Sequence, residues 1–318
     1  MDNSFVALIH NAFTEAVVNY FGTDETEITH YTSPNAFMNI MQNQELWFGN
    51  VDNVNDINEI SYAYEKVIIP CVRNFKFKDE TLNCSLLDRI NEQRKKQDFT
   101  FCSKNTAVEN KRASFYLLCT CLKADSTMLW NMYSKNEYKE GFSITFDKDK
   151  LFDSFCECNG KKNSKGIHLI FEGKVEYSLQ EQCKKVNEYL SCLEYNLQKN
   201  DSKEYKETVL DVFVEKFIIM SLLMKDSDFS KEEEFRIVIV ANDDYLDTNK
   251  ERGAYLKFST CKGVISSKLV FKFEKDVIKS VHISPFLNEK NAIKTTEYFL
   301  SKTGYDDVNV IQTMPKMR

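Results

Sequence analysis

The chain has 318 residues, of which 42% are hydrophobic, and it contains only 9 glycines and 4 prolines. This composition allows a large packed core and excludes a disordered or fibrous chain. The formal net charge of −6 provides no basic surface for nucleic acid, whose binding depends on phosphate neutralisation. The most apolar stretch, residues 209–224, includes Asp211, Glu215 and Lys216, which argues against a membrane span.

The 10 cysteines do not have the spacing of a disulfide framework or a zinc site. Cys119/Cys121 and Cys156/Cys158 form C-x-C pairs, and no C-x-x-C occurs. On a strand, both thiols of such a pair point to one face, which suits a small apolar side chain in a core. We therefore expect buried, reduced thiols and a cytoplasmic protein, since the N-terminus also lacks a signal-peptide pattern.

The N-terminal part of the chain predicts a helix, a strand and a second helix. Apolar residues recur at helical spacing over residues 4–21, and Gly22 ends the pattern. Residues 27–32 predict a short strand. Ser33 and Pro34 follow it and are typical of the cap and first turn of a helix.

The next segment contains a second strand and a long polar region. Residues 46–48 predict the strand, and a helix is expected from residue 57 to about residue 69. Residues 74–111 are rich in Lys, Glu and Asn, and they predict a helix with a mobile loop.

The middle and C-terminal parts alternate between strands and helices. We expect strands at 114–122, 142–146, 234–241, 255–258, 269–273, 277–283 and 308–312, and a hairpin at 166–177. We expect helices at 128–133 and 289–301. Residues 178–225 predict two long helices that are joined at 199–202. The mixture predicts an α+β protein with a mixed, mainly antiparallel sheet. We expect one domain over residues 1–318, with the helical pair at 178–225 as an insertion.

Three polar segments are candidate ligand contacts. His30, Tyr31 and Thr32 end a strand just before a helix N-terminus, where exposed backbone N–H groups favour an anion or a ribose hydroxyl. The alternative for His30 is a histidine that caps a sheet edge. Asn55, Asp56 and Glu59 form a second group, which could equally be a helix cap with a capping-box partner.

The third segment is Glu232, Glu234 and Arg236, which share one face if the strand extends over all three positions. A carboxylate there could act as a general base or bind a ribose hydroxyl. A surface ion pair of small energetic effect is the alternative. Aromatic residues near these segments could be core residues or stacking platforms. They are Trp47, Phe48, Trp130 and Tyr133.

Together these segments resemble a bacterial family catalogued as domain of unknown function 2971, over roughly residues 28–318. The resemblance rests on His30-Tyr31-Thr32-Ser33, Leu46-Trp47-Phe48, Asn55-Asp56-x-x-Glu59, Leu129-Trp130-x-x-Tyr133, Gly141–Phe146, Glu232-x-Glu234-Phe235-Arg236, Ile283-Ser284-Pro285 and the closing Met314–Arg318.

The first of these motifs is also similar to the opening motif of ADP-ribosyltransferases, which have a split sheet. That resemblance implies that His30 binds the nicotinamide-side ribose of NAD. It also implies that Glu234, with Glu232 two residues before it, orients the same ribose. A fixed carboxylate would stabilise the positive charge that develops when the glycosidic bond breaks. Trp47, Phe48 or Tyr133 could stack on nicotinamide.

Three hypotheses follow from the sequence. The first is an ADP-ribosyltransferase-like enzyme that uses NAD as substrate, as a bacterial toxin or anti-phage defence effector with a protein or nucleic-acid target. The second is a non-catalytic nucleotide-sensing or protein-interaction module of a defence system. The third is a metal-dependent nuclease built from Asp56, Glu59 and Glu234. The first requires that His30 and Glu234 converge on one cleft.

Overall fold

The computed structural model describes residues 3–51, 57–95, 113–133, 140–161, 167–242, 253–261, 263–287 and 290–312, with positions 246, 248 and 249. The helices are α1 (Asn3–Phe21), α2 (Pro34–Asn43), α3 (Ile57–Tyr62), α4 (Ile69–Asn74), α5 (Leu82–Lys95), α6 (Thr127–Tyr133), α7 (Lys148–Lys161), α8 (Leu179–Leu197), α9 (Lys203–Ser221) and α10 (Ala292–Lys302). A π-helical stretch (Ala63–Ile68) joins α3 to α4, and 3-10 turns cover Ser227–Glu232 and Lys275–Val277.

The strands are β1 (Glu27–Thr32), β2 (Glu45–Asn50), β3 (Ala113–Cys121), β4 (Phe142–Asp147), β5 (Ile167–Lys174), β6 (Glu234–Asn242), β7 (Ala254–Cys261), β8 (Val264–Lys272), β9 (Ile278–Ile283) and β10 (Asn309–Gln312). They form one mixed, mainly antiparallel ten-stranded sheet, in which β10 pairs parallel to β9. The predicted α+β class is therefore confirmed.

Local signals explain several helix boundaries. The Ser33 side chain accepts a hydrogen bond from the Ala36 N–H at 3.3 Å, and Pro34 occupies the first helical position of α2. Ser178 and Ser202 cap α8 and α9 in the same way. Each serine satisfies one of the N–H groups that a helix start leaves without a partner.

The sheet divides into two branches at β3. One edge of β3 pairs with β6 along the whole strand, and β5 follows β6. The other edge is shared, because Cys121 of β3 pairs with Thr29 of β1 while Leu117 pairs with Gly49 of β2. From this point, β1, β4, β9 and β10 continue in one branch, and β2, β8 and β7 continue in the other.

Large apolar clusters cover both faces of the sheet. Helices α1, α4, α8 and α9 pack on the face that carries Leu117, Val238 and Val240. Helices α2, α7 and α10 pack on the opposite face with side chains of both branches, including Ile28 and Phe48. None of the described helices combines the length and hydropathy that a transmembrane span requires.

Some expected elements are wrong or incomplete. The hairpin predicted at 166–177 is wrong over residues 167–177, since β5 is a single strand that pairs with β6. Residue 166 lies outside the described residues. Cys156 lies in helix α7 instead of a strand, and both Cys156 and Cys84 are exposed, contrary to the expectation of buried thiols. The predicted polar segment 74–111 contains α5, and residues 96–112 lie outside the described residues.

Candidate functional site

A pocket opens beside α6 on the sheet face that carries Glu234. Its volume is about 310 Å³, which includes space open to solvent, and Tyr31, Glu232 and Glu234 are among the side chains that line it. Leu129 and Met132 of α6 form its apolar wall. The centre of a water molecule can occupy only about 20 Å³ within it, which is room for about one water molecule. A ligand would therefore insert a single polar group and lie across the open mouth.

The strand register explains why these side chains meet. Thr29 of β1 pairs with Cys121 of β3, and Cys121 pairs with Glu234 of β6. Directly paired residues project from the same face of a sheet, so the three side chains form one row. Tyr31 lies two residues from Thr29 and projects from the same face.

Four buried charges lie at one side of the pocket. Arg236 donates to Glu234 through Nε at 2.7 Å and Nη2 at 2.5 Å from Oε2. Lys225 Nζ lies 2.5 Å from Glu232 Oε2 and 3.6 Å from Glu234 Oε1. These four side chains are between 2% and 12% exposed, and their charges sum to zero. The mutual pairing makes their burial tolerable.

Glu232 belongs to this cluster, but it does not lie on the strand as the sequence predicted. It ends a 3-10 turn, and Glu233 then adopts the left-handed backbone conformation, with φ of 44°, before β6 begins at Glu234. Glu232 is therefore not on the strand face with Glu234 and Arg236. Its side chain joins the cluster through Lys225.

Two residues that the sequence argument missed hold the cluster in position. The Tyr177 hydroxyl accepts the Glu234 N–H at 3.0 Å, and burial raises the pKa of Tyr177 far above its ordinary value. Lys225 follows the end of α9, and its backbone carbonyl accepts a hydrogen bond from Gln182 of α8. No local sequence motif marks either residue, because their roles depend on how the α8–α9 pair packs on the sheet.

Tyr31 has a second role beside the pocket. Its hydroxyl donates to the Lys123 carbonyl at 3.1 Å and accepts the Ser126 N–H at 2.9 Å, which fixes the loop before α6. Its ring packs edge-on against Trp130, with the centroids 4.8 Å apart. Tyr31 therefore forms a wall of the pocket while its hydroxyl is occupied in the loop.

The buried thiol of Cys121 in β3 is a poor nucleophile candidate. Cys121 Sγ lies 3.4 Å from the Thr29 carbonyl oxygen and 3.2 Å from that of Lys123, and the two share its single S–H. Burial raises the pKa of its thiol to about 12. Very little thiolate exists at neutral pH with such a pKa, and the thiolate is the reactive form. Cys121 is a wall residue of the pocket.

His30 lies on the opposite face of the sheet from Glu234. Its neighbour in β4 is Ile144, which belongs to the core under α2 and α7. Its Nδ1 lies 3.2 Å from the Cys119 carbonyl and must donate, because a carbonyl oxygen only accepts. Cys119 stands at the division of the sheet, between the residues that pair with β1 and with β2. Burial lowers the pKa of His30.

The structure therefore does not bring His30 and Glu234 together in one cleft. We expect H30L to lower the free energy of unfolding by about 1–3 kcal/mol, because it leaves the Cys119 carbonyl without its imidazole donor. Ligand affinity should stay unchanged. Urea unfolding and calorimetric titration check both expectations, and lost affinity at unchanged stability would show that His30 contacts the ligand.

The other predicted aromatic and strand residues have separate locations. Thr32 is buried on the His30 face, and Phe48 packs in the core against Phe155 and Phe271. Trp47 is 44% exposed on β2, where the Lys257 ammonium lies 4.6 Å from its ring centroid. Trp130 is fully buried, and its Nε1 donates to Asp125 Oδ1 at 2.8 Å. None of these four lines the pocket.

The remaining predicted residues are not described at the level of their side chains. Asn55 and Asp56 lie outside the described residues. Glu59 and Tyr133 belong to α3 and α6, but their side chains are outside the description as well. Among the described side chains, no group of three or more His, Cys, Asp or Glu residues could hold a metal ion.

The arrangement offers hydrogen-bond acceptors beside an apolar wall. Each carboxylate oxygen has more than one acceptor position, so Glu234 can accept from a ligand while it stays paired with Arg236. Hydroxyl or amide N–H groups of a ligand fit such acceptors, and a ring fits against Leu129 and Met132.

Comparison with known families agrees with the resemblance seen in the sequence motifs. A family model described as protein of unknown function (DUF2971) matches residues 129–237. The DUF2971 match extends from α6 into β6, and it includes Lys225, Glu232, Glu234 and Arg236. No curated protein and no solved structure matches the chain. The charged cluster therefore lies within the segment that the family model matches.

Proposed function

We propose that the chain binds a small-molecule nucleotide through its ribose, at the pocket beside α6. The observation that carries this proposal is the Glu234 carboxylate, which Arg236 holds in a fixed orientation beside a cavity that admits one small polar group. A ribose hydroxyl is a donor of the right size for this narrow space. The open mouth and the wall of Leu129 and Met132 would take the attached ring.

Binding without turnover is the reading that these contacts favour. Arg236 and Lys225 offset the negative charge of Glu234 and Glu232. A neutral cluster gives little extra stabilisation to a ribose that becomes positively charged in a transition state. The chain would then act as a nucleotide-sensing or protein-interaction module, and a role in anti-phage defence remains a prediction from the sequence.

Cleavage of NAD is the second candidate, and the fixed position of Glu234 supports it. An oriented carboxylate within reach of the ribose is the group that such a reaction needs. His30 has no part in this version, since its side chain is on the other face of the sheet. Glu234 alone would orient the ribose, and a protein or nucleic-acid acceptor would take the ADP-ribosyl group.

Calorimetric titration with NAD and ADP-ribose tests the binding proposal. We expect both to bind the wild type, and E234Q to weaken binding by about tenfold or more, the size of effect expected from losing one charged hydrogen bond. E233Q is the matched control, because Glu233 pairs with the exposed Lys123 instead of the cluster. Its affinity should equal that of the wild type.

Thermal melting of E234Q would show that the variant is folded before its affinity is compared. Nicotinamide release from NAD separates the two candidates: release that E234Q abolishes supports the transferase, and binding without release supports the sensing module. Absence of binding by the wild type, or equal affinity of E234Q and wild type, would contradict the proposal.

A further inference from the structure

The buried side chain of Gln182 connects three separate segments. It is fully buried in α8, where its Oε1 accepts from the Tyr62 hydroxyl of α3 at 3.1 Å. Its Nε2 donates to the Glu176 carbonyl at 2.6 Å and to the Lys225 carbonyl at 2.8 Å. Both amide hydrogens and the amide oxygen are thus used, so the side chain has one orientation.

The segment that Gln182 holds supplies Lys225 and contacts Arg236, the two cations of the cluster. Residues 222–225 run beside residues 175–176, where the Lys225 N–H donates to the Glu176 carbonyl at 3.1 Å. Lys225 pairs with Glu232, and Arg236 donates to the Leu222 carbonyl at 2.7 Å. A shift of this segment would therefore move the Lys225 ammonium and remove a contact of Arg236.

We propose that Gln182 is a positioning residue that couples helix α3, through Tyr62, to the geometry of the pocket, so that the helical layer regulates ligand affinity. This inference rests on the proposed function for its affinity readout only. The contact chain runs from the Tyr62 hydroxyl to Gln182, to the Lys225 backbone, and through Nζ of Lys225 to Glu232 and Glu234.

The coupling has a readout that needs no ligand. Lys225 is 6% exposed and ion-paired, so acetic anhydride should modify it slowly, whereas Lys184, with a side chain 62% exposed, provides an internal reference. Mass spectrometry gives the ratio of the two modification rates. We expect Y62F to raise the relative rate at Lys225 roughly threefold or more, and Q182L to raise it further.

A matched control separates this coupling from general loosening of the helices. Tyr205 is buried in α9 and donates to the Asn196 carbonyl at 2.9 Å, away from the pocket. Y205F removes a hydrogen bond of the same kind, so it should leave the Lys225 ratio unchanged. The double variant Y62F/Q182L should resemble Q182L alone, because both changes interrupt one chain of contacts.

The nucleotide titration then gives the second readout. Both Y62F and Q182L should weaken ADP-ribose binding, and Q182L, which is expected to raise the modification rate of Lys225 more, should have the larger effect. Y205F should leave the affinity unchanged. If the wild type binds no nucleotide but Lys225 responds as stated, the proposed function fails and the coupling stands. If Lys225 is modified equally in wild type, Y62F and Q182L, the coupling is refuted whatever the titration gives.

Discussion

Replacement of Arg236 by methionine is expected to lower the free energy of unfolding by about 3–5 kcal/mol, the usual cost of breaking a buried ion pair on one side. Arg236 is 2% exposed, and it donates to Glu234 and to the Leu222 carbonyl. Methionine fills similar volume but supplies no donor. The Glu234 carboxylate and the Leu222 carbonyl would then stay buried with a partner missing. Urea unfolding followed by circular dichroism measures the change.

Two comparisons make the Arg236 result specific. The double variant E234Q/R236M also removes the Glu234 charge, which R236M leaves without its arginine partner. It should recover part of the lost stability, since burying a neutral side chain costs less free energy than burying a charge. K150M removes an exposed ion pair with Asp276 and should cost less than about 1 kcal/mol. An R236M variant as stable as K150M would show that the cluster is not a buried ionic unit.

The stability of the protein is expected to fall between pH 6.5 and 4 in a way that depends on His10. Burial, and then the nearby Lys216 charge, lower the pKa of His10 to about 4 from an ordinary value of 6.5. In this range the unfolded chain takes up a proton that the folded protein resists. The contribution is fully present above pH 6.5 and is lost as the pH falls through 4. The shift corresponds to about 3 kcal/mol.

The variant H10Q should lose about 3 kcal/mol less stability than the wild type between pH 7 and pH 4. Glu215, whose pKa burial raises to about 8, has the opposite pH dependence, but it titrates in both proteins and cancels from the difference. Urea unfolding at four or five pH values provides the two curves. Parallel curves for H10Q and wild type would contradict the assignment to His10.

The sequence predicted most elements because their signals are local. Helical spacing gave α1, and the Ser33 cap followed by Pro34 gave α2. Helix α7 was missed although Leu151 and Phe155, four residues apart, are both fully buried on one side of it. The C-x-C pattern around Cys156 suggested a strand. The i, i+4 spacing of Leu151 and Phe155 indicates a helix and is the more reliable of the two patterns here.

Only part of the candidate site could be predicted from the sequence, because side chains alternate between the two faces of a strand. Neighbouring residues of a strand face opposite sides, so the pocket receives Thr29 and Tyr31 while His30 faces the core. The sequence marks the segment but not which side of it becomes the pocket, since that depends on which elements cover each face. Glu234 and Arg236 were found because an acidic–basic pair begins an apolar strand.

Lys225 and Gln182 could not be found in this way. Lys225 lies in a turn after α9, and Gln182 lies 43 positions earlier in α8. Their contact exists because the two helices return the chain to the end of β5. Long-range packing of this kind leaves no periodic or motif signal in a single sequence.

A crystal structure of the protein with bound ADP-ribose tests the central claim most directly. We predict a ribose hydroxyl within hydrogen-bond distance of the Glu234 carboxylate, with the attached group against Leu129 and Met132 and with the Glu234–Arg236 pair intact. Ligand bound on the His30 face of the sheet, or an unchanged pocket beside a ligand bound elsewhere, would contradict the claim.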